Sequence, residues 1–522
     1  MMDTLVVQKD EILSYIFSKK AIVTPDALSI LATRPDYREI VDSILSKGVF
    51  VVDADLVRAE IVSRGERDET PAVSDVSPET EGDGEATREV VVEKSRFTPL
   101  AKEYDARIRV FDEFDVTGKS YCEGSVEDFV RYFNDRFERL SAILRSRPHL
   151  NLKPLDRLPR LAGEEVDVLA MVYEVRESRK GNLVVTVEDP ESYATVVIPR
   201  NDRKLAAKAE ALLPDDVVVF HGRVSSSGTL IVQDIYWPDV SEHTPRYADV
   251  PLSVAITSDW HVGSRLHIEK ALKKFIDWLK GKVGDSKSRE LAGTVKYIIV
   301  NGDVVDGVGV YPSQVDELEI KDIYKQYDAF ARYLDEIPDY IEVIVGPGNH
   351  DAVRRLEPQP AFAKDIAAPL YERDNVVLVG SPAYFSLGGV EFLTYHGTSM
   401  DDVISRVPYL DYTAPQEALK EYLKHRHLAI TYGLKNPIVP EKRDYLVIDR
   451  VPDVLTAGHV HKNGYCRYKE VELIVSGTFQ EQTPFQLEHG HVPTPGVVPV
   501  FDLSTHKVNE IIFYRGNGGG EA

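Results

Sequence analysis

Asp259-Trp-His261, Gly302-Asp303-Val-Val-Asp306, Gly348-Asn349-His350-Asp351, His396-Gly397 and Gly458-His459-Val-His461 follow one another along the chain. Their carboxylates, amide and imidazoles are the ligand types of a two-metal hydrolytic centre, and such a centre cleaves phosphoesters. Two divalent cations ~3.5–4 Å apart repel strongly unless a shared anionic ligand lies between them. Asp303 is the natural bridge, with Asp259, His261 and His461 read as ligands of one ion and Asn349, His396 and His459 of the other. Oxygen and imidazole shells without sulfur suit manganese, iron or zinc, and two divalent ions, manganese first, are the expected cofactors.

Each motif alone is weak. Asp-x-His is common in loops, Gly-Asn-His-Asp suits an ordinary turn, and alternating histidines suit a solvated strand edge. Their shared setting is stronger, because each follows a short apolar run that reads as a buried strand: Leu252 to Ile256, Tyr297 to Val300, Tyr340 to Val345, Val390 to Tyr395 and Val454 to Ala457. Ligands just past the carboxyl ends of successive strands occupy the site crevice of a layered α/β domain. Gly302, Gly348 and Gly458 let the backbone turn there.

Residues 250–515 resemble the calcineurin-like metallophosphoesterase superfamily at the motifs quoted. Gly302-Asp-Val-Val-Asp-Gly-Val-Gly-Val-Tyr-Pro312, the run Gly348 to Pro360, and Gly477-Thr-Phe-Gln-Glu-Gln-Thr-Pro-Phe-Gln486 are further similar to the small subunit of the archaeal family-D DNA polymerases. That resemblance implies a 3′→5′ proofreading exonuclease acting on a single-stranded or mismatched DNA 3′ end. It implies a large polymerase subunit as partner, with the sliding clamp as a further contact. It also implies that His350 protonates or stabilises the leaving 3′ oxygen, with Asp351 fixing its tautomer. Related eukaryotic small subunits have lost metal ligands and act as scaffolds, whereas this chain has kept them. Thr398 stands where many members of the superfamily carry a basic residue. Asp306 is read as orienting a metal-binding histidine or capping the segment after it. Arg354 and Arg355 are candidate phosphate contacts, and a solvated helix face explains them equally well. His267, His425, His427, His489 and His491 lie outside the motifs and read as surface or packing residues.

The expected fold class is a layered α/β metallophosphoesterase domain, a β-sandwich flanked by helices, with an OB-fold barrel and a small N-terminal helical domain. The 522 residues, 43% hydrophobic, leave room for several domains. The expected boundaries are 1–60 for the helical domain, 61–96 for an acidic linker, 97–159 for a helical connection, 160–245 for the barrel, 246–515 for the phosphoesterase domain and 516–522 for a tail. Thr24-Pro25 is a good helix start, and Ile40, Ile44 and Leu45 share one face of the helix that Gly48 ends. Residues 65–87 carry eight acidic residues against one arginine and read as a self-repelling tether. Ser125 precedes a helix bearing Val126, Phe129, Val130, Phe133, Phe137 and Leu140 as one stripe, which reads as core.

Val166 to Val175, Leu183 to Val187, Thr195 to Ile198, Val217 to Val224 and Leu230 to Ile235 alternate as strands. A helix from Arg203 to Leu213 separates the third from the fourth, the order of an oligonucleotide-binding barrel. The barrel's outward face has few aromatics for stacking bases. In the resembling family it packs beside the phosphoesterase domain and contacts the large subunit.

Cys122 and Cys466 are the only cysteines, so no disulfide framework or cysteine-based zinc site is expected. Met1-Met2-Asp3-Thr4 opens no basic-then-apolar signal, and no run reaches membrane-spanning length. A cytoplasmic, nucleoid-associated protein is expected. A net charge of −23 disfavours a stand-alone DNA-binding nuclease and fits a subunit whose partner supplies the basic track.

Overall fold

The computed structural model describes residues 97–516 and, before them, residues 12–13, 15–16, 19, 22–34, 36–46, 51–52, 56–57 and 60–61. Nearly all of the expected acidic linker and the tail beyond Gly516 lie outside the described residues. The chain forms two compact units, Met1–Glu93 and Lys94–Ala522. In the first, helices Pro25–Leu31 and Tyr37–Ser46 flank a short parallel pairing of β1 (Ile22–Val23) with β2 (Val51–Val52). Thr24 accepts the Ala27 N–H and starts the first helix. Ile40 and Ile44 are buried with Ile12, Leu31 and Val57. The strand pair was not expected from a helical reading.

In the second unit, β4 (Glu165–Glu177), β5 (Leu183–Glu188), β6 (Tyr193–Ile198), β7 (Val217–Val224) and β8 (Leu230–Tyr236) close into a barrel in the order β4-β5-β6-β8-β7. Alternation explains the closure: Leu183, Val185 and Val187 of β5 point inward to Val168, Phe220 and Ile235. Where the pairing of β7 with β8 shifts register beside His221, Gly222 comes so near β8 that an added Cβ would lie 2.1 Å from the Ile231 carbonyl. The helix between β6 and β7 is Arg203–Ala209, shorter than the sequence suggests.

The rest of this unit is a sandwich of two six-stranded sheets. The first runs β12 (Val376–Leu378), β11 (Glu342–Gly346), β10 (Val295–Asn301), β9 (Ser253–Thr257), β18 (Val497–Asp502) and β19 (Val508–Ile512), parallel from β12 to β9. The second runs β16 (Gly464–Tyr468), β17 (Val471–Val475), β15 (Val454–Ala457), β14 (Val390–Thr394), β13 (Ala383–Leu387) and β3 (Ile108–Val110), with β17, β15 and β14 parallel. Strands covered on both faces read as continuous apolar runs, and β9, β14 and β15 are buried throughout.

Val254, Ile256 and Ile299 meet Phe385, Phe392 and Ile474 between the sheets. Each such side chain, fully buried, stabilises by roughly 1.5–3 kcal/mol. Helices Glu269–Leu279 and Ile323–Asp335 cover the first sheet through Phe275 and Phe330. Helices Met400–Arg406 and Gln416–His425 cover the second through Met400, Leu419 and Tyr422.

Two readings of the segment 97–159 are corrected. It is not only a helical connection, because β3 completes the edge of the second sheet against β13. In helix Val126–Arg145, begun by a Ser125–Asp128 capping box, Val126 and Val130 of the apolar stripe are exposed, while Tyr132 and Arg136 are buried. Arg136 pairs with Asp444 at 2.8 Å and donates to the Ile430 carbonyl, so a buried ion pair replaces part of the stripe. Phe137, Leu140 and Leu144 reach Leu169 and Val219, so one helix contacts both barrel and sandwich.

Candidate metal centre

The motif residues sit just past the carboxyl ends of β9, β10 and β11 in one sheet and of β14 and β15 in the other. Where the strands stop, the backbone turns left-handed at the putting-together of the site: φ is 53° at Asp259, 47° at His261, 49° at Asp303, 67° at His459 and 57° at His461. A side chain in that region costs roughly 1–2 kcal/mol, so surrounding bonds must hold each turn. Asp259 N–H donates to the Gly302 carbonyl at 2.9 Å, His261 N–H to the Asp303 carbonyl at 3.0 Å, and His459 N–H to Asp259 Oδ2 at 2.9 Å. Gly458 is required by proximity, since a Cβ there would stand 1.8 Å from Ser258 Oγ.

The side chains gather in two clusters that share Asp303. In one, His461 Nε2 lies 3.3 Å from Asp259 Oδ1 and 3.1 Å from His261 Nε2. In the other, Asn349 Oδ1 lies 2.9 Å from His396 Nε2 and 3.0 Å from His459 Nδ1. Asp303 Oδ1 accepts the His350 N–H, leaving Oδ2 3.3 Å from His396 Nε2 and 3.9 Å from His261 Nε2.

Such a set suits divalent cations. Asp259 Oδ1 is buried with no hydrogen-bond donor, which is costly for an anionic oxygen unless a cation meets it. Burial alone would depress the His396 imidazole, yet Asp303 and Asp259 push it up to about 10. The same anionic demand for positive charge is one that metal ions answer.

The shell behind these residues is polar and continuous. Asp306 Oδ1 faces His261 Nδ1 at 3.0 Å and is itself held by the amides of Gln480 and Gln314. A carboxylate so placed can set the tautomer and orientation of a ligand ring. Gln486 Nε2 lies 2.9 Å from His461 Nδ1, and Asp401 Oδ2 lies 3.4 Å from His459 Nε2. Although burial raises it, the contact with His459 holds the Asp401 carboxyl down at about 2. Thr478 Oγ1 donates to the Asp259 carbonyl. Gln480, Gln486 and Asp401 were missed as contributors. The run Gly477 to Gln486 was singled out only by resemblance, and its Thr483-x-x-Gln486 capping box was the local signal available.

His350 and Asp351 part company. His350 Nδ1 meets the Asp306 carbonyl at 2.9 Å, so Asp351 does not fix its tautomer. Asp351 instead accepts the N–H groups of Gly348, Val304 and Val305, tying the β11 loop to the β10 loop. Burial and the neighbouring Asp303 charge push its carboxyl up to about 7. Burial also lowers the His350 imidazole, against the pull of Asp303 and Asp306.

Arg354 is occupied as well: it pairs with Glu441 at 2.8 Å and donates to Ser120 Oγ and the Pro358 carbonyl, so it is not poised for a phosphate. Arg355 is exposed and lines the same cavity as His261, Asn349, His350 and His461. His425 and His427 are buried and paired with Asp216 and Asp444.

Residues 252–463 match the family model described as calcineurin-like phosphoesterase. The DNA polymerase II small subunit of Methanocaldococcus jannaschii is 42% identical, over 80% of this chain and 70% of that protein. That of Archaeoglobus fulgidus is 45% identical, over 74% and 77%, and that of Methanothermobacter thermautotrophicus 40% identical, over 76% and 82%. With such likeness over most of both chains, this protein belongs to the family of DNA polymerase II small subunits, the archaeal family-D small subunits that its motifs resemble.

Proposed function

We propose that the chain is the 3′→5′ proofreading exonuclease of a family-D DNA polymerase, acting while docked on the large subunit. The observation that carries this reading is the convergence of Asp259, His261, His461, Asn349, His396 and His459 around a shared Asp303 carboxylate. Asp259, His261 and His461 would hold one divalent ion and Asn349, His396 and His459 the other, with Asp303 between them; manganese, iron and zinc all suit these donors. Two such ions supply a nucleophile from water at neutral pH and neutralise charge on the phosphoryl oxygens.

The chain's own residues do the rest. Asp306 keeps the His261 ring turned so that Nε2 faces the centre. His350 gives its Nδ1 to the Asp306 carbonyl, which leaves Nε2 to meet the departing 3′ oxygen. The relatives' name, small subunit of a DNA polymerase, supports a large polymerising subunit as partner. Asp259 Oδ1, buried without a hydrogen bond, is a poor match to a scaffold that binds no metal, because an uncompensated buried carboxylate oxygen destabilises.

The test is manganese-dependent digestion of a 3′-labelled and a 5′-labelled single strand, with and without the large subunit, beside His350→Ala. Stepwise shortening from the 3′ end that is lost in the variant is the expected result. No cleavage with the partner present would refute the assignment.

A further inference from the structure

The centre opens into a cavity of about 460 Å³ that is also lined by Tyr311, Arg355 and Phe485. Cavities of roughly 300–1,000 Å³ enclose one small ligand, a size that suits an unpaired nucleotide better than a base pair. Tyr311 and Phe485 are 38% and 63% exposed, large apolar rings left in water beside a polar centre. Both are held in place. Tyr311 donates its hydroxyl to Glu317 at 2.9 Å, and its ring meets the His350 ring edge-on with centroids 6.2 Å apart. Phe485 stands on the Pro484–Glu488 turn, which the Thr483–Gln486 capping box fixes and Gln486 ties to His461.

Beyond the divalent ions that the centre would hold, side-chain charge at this opening offers a polyanion little. Glu317 and Asp401 line it beside the centre's own carboxylates, and among the described lining residues Arg355 is the only lysine or arginine. Its guanidinium already donates to the Gly309 and Val310 carbonyls. Side-chain cations therefore add little phosphate pairing beyond what the two divalent ions would supply at the scissile group, whereas stacking on an aromatic ring works for every base and resists salt.

We propose that Tyr311 and Phe485 form a stacking site for the unpaired bases at the 3′ end, which makes the centre select frayed or single-stranded termini. This rests on the exonuclease reading. The test compares a single-stranded oligonucleotide with one of the same length whose 3′-terminal nucleotides are abasic and so cannot stack, as manganese-dependent substrates of the full chain with its large subunit. Oligonucleotide Kd is measured in parallel by anisotropy in calcium. Phe485→Ala and Tyr311→Ala are each expected to raise the oligonucleotide KM and Kd about tenfold, lowering the ratio of oligonucleotide to abasic-strand efficiency by as much, and Phe485→Tyr to restore them. If wild type hydrolyses neither substrate, the exonuclease reading fails and this site with it. If wild type is active but both alanine variants keep its KM and Kd, only the stacking site is overturned.

Discussion

Asp306 reaches the metal centre only through His261, and a change that keeps its shape isolates what that contact does. In Asp306→Asn the carboxylate facing His261 Nδ1 at 3.0 Å becomes an amide that also faces the side chains of Gln480 and Gln314. Partners of this kind set a ligand's tautomer and basicity, and their loss lowers metal affinity about 10–100-fold. Calorimetric titration of manganese into the variant should show a drop of that size; wild-type affinity would mean that the His261 ring is oriented without Asp306. The residues that the fold gathers at the candidate centre were legible in the sequence, because metal chemistry demands a few residue types and strand-end loops keep them at short spacing. Gln480, Gln486 and Asp401 were not, because a glutamine or an aspartate acquires its role only when folding brings it against a particular ring nitrogen. Asp351 shows the converse: adjacency to His350 suggested a partnership, but a carboxylate can also serve three backbone N–H groups, and here it does.

Helix Val126–Arg145 shows what pattern reading resolves at the scale of an element. The capping box at Ser125 and the three- and four-residue spacing of aromatics located the helix, yet spacing alone cannot say which face is covered. Tertiary contacts chose the face that carries Tyr132, Arg136, Phe137 and Leu140. Arg136 is acceptable there because Asp444 meets it at 2.8 Å, while Tyr132 and His427 bond to the same carboxylate. Arg136→Met leaves that carboxylate without its cation in the interior, and the expected cost is about 3–5 kcal/mol, read as a lower urea midpoint. Val130→Ala, on the exposed side of the same helix, should stay within about 0.5 kcal/mol. Equal effects of the two changes would count against the buried-pair account. The strands were read more securely than the helix face, since β9, β10 and β15 are covered on both sides and their apolar runs have only one interpretation. The short strand β3 had no such signature, its Arg109 pointing to solvent between two half-buried residues at the sheet edge.

Across the whole molecule, the barrel and the sandwich are joined by titratable groups, and this makes their union depend on pH. His425, at the end of helix Gln416–His425, faces Asp216 beside β7 through Nδ1 and Glu421 through Nε2. Both ring nitrogens therefore donate, and the imidazolium is favoured: burial opposes it, but Asp216 and Glu421 push the group up to about 9. His427 is the opposite case. Burial and the Arg136 guanidinium lower it to about 4, and as a neutral ring it donates to Asp444 and accepts the Ala429 N–H. The raised group contributes stability that is full below its unfolded value of 6.5 and is lost as pH climbs through about 9. For the lowered one, the unfolded chain binds the extra proton between about 4 and 6.5, so its contribution is full above 6.5 and is lost as pH falls through that window. The two slopes meet near 6.5, and each is worth up to about 3 kcal/mol. Thermal melting of the full chain from pH 6.5 to 9.5 should accordingly fall as pH rises, with His396, pushed up to about 10, adding to the loss from His425. His425→Gln should reduce that fall by up to about 3 kcal/mol and leave the share that belongs to His396. Were the variant to keep the whole alkaline fall, the loss would have to come from His396 and from the net charge of −23 growing more negative as the remaining groups deprotonate. Salt separates the two causes, because 0.5 M chloride screens diffuse self-repulsion and leaves a buried His425–Asp216 contact nearly untouched.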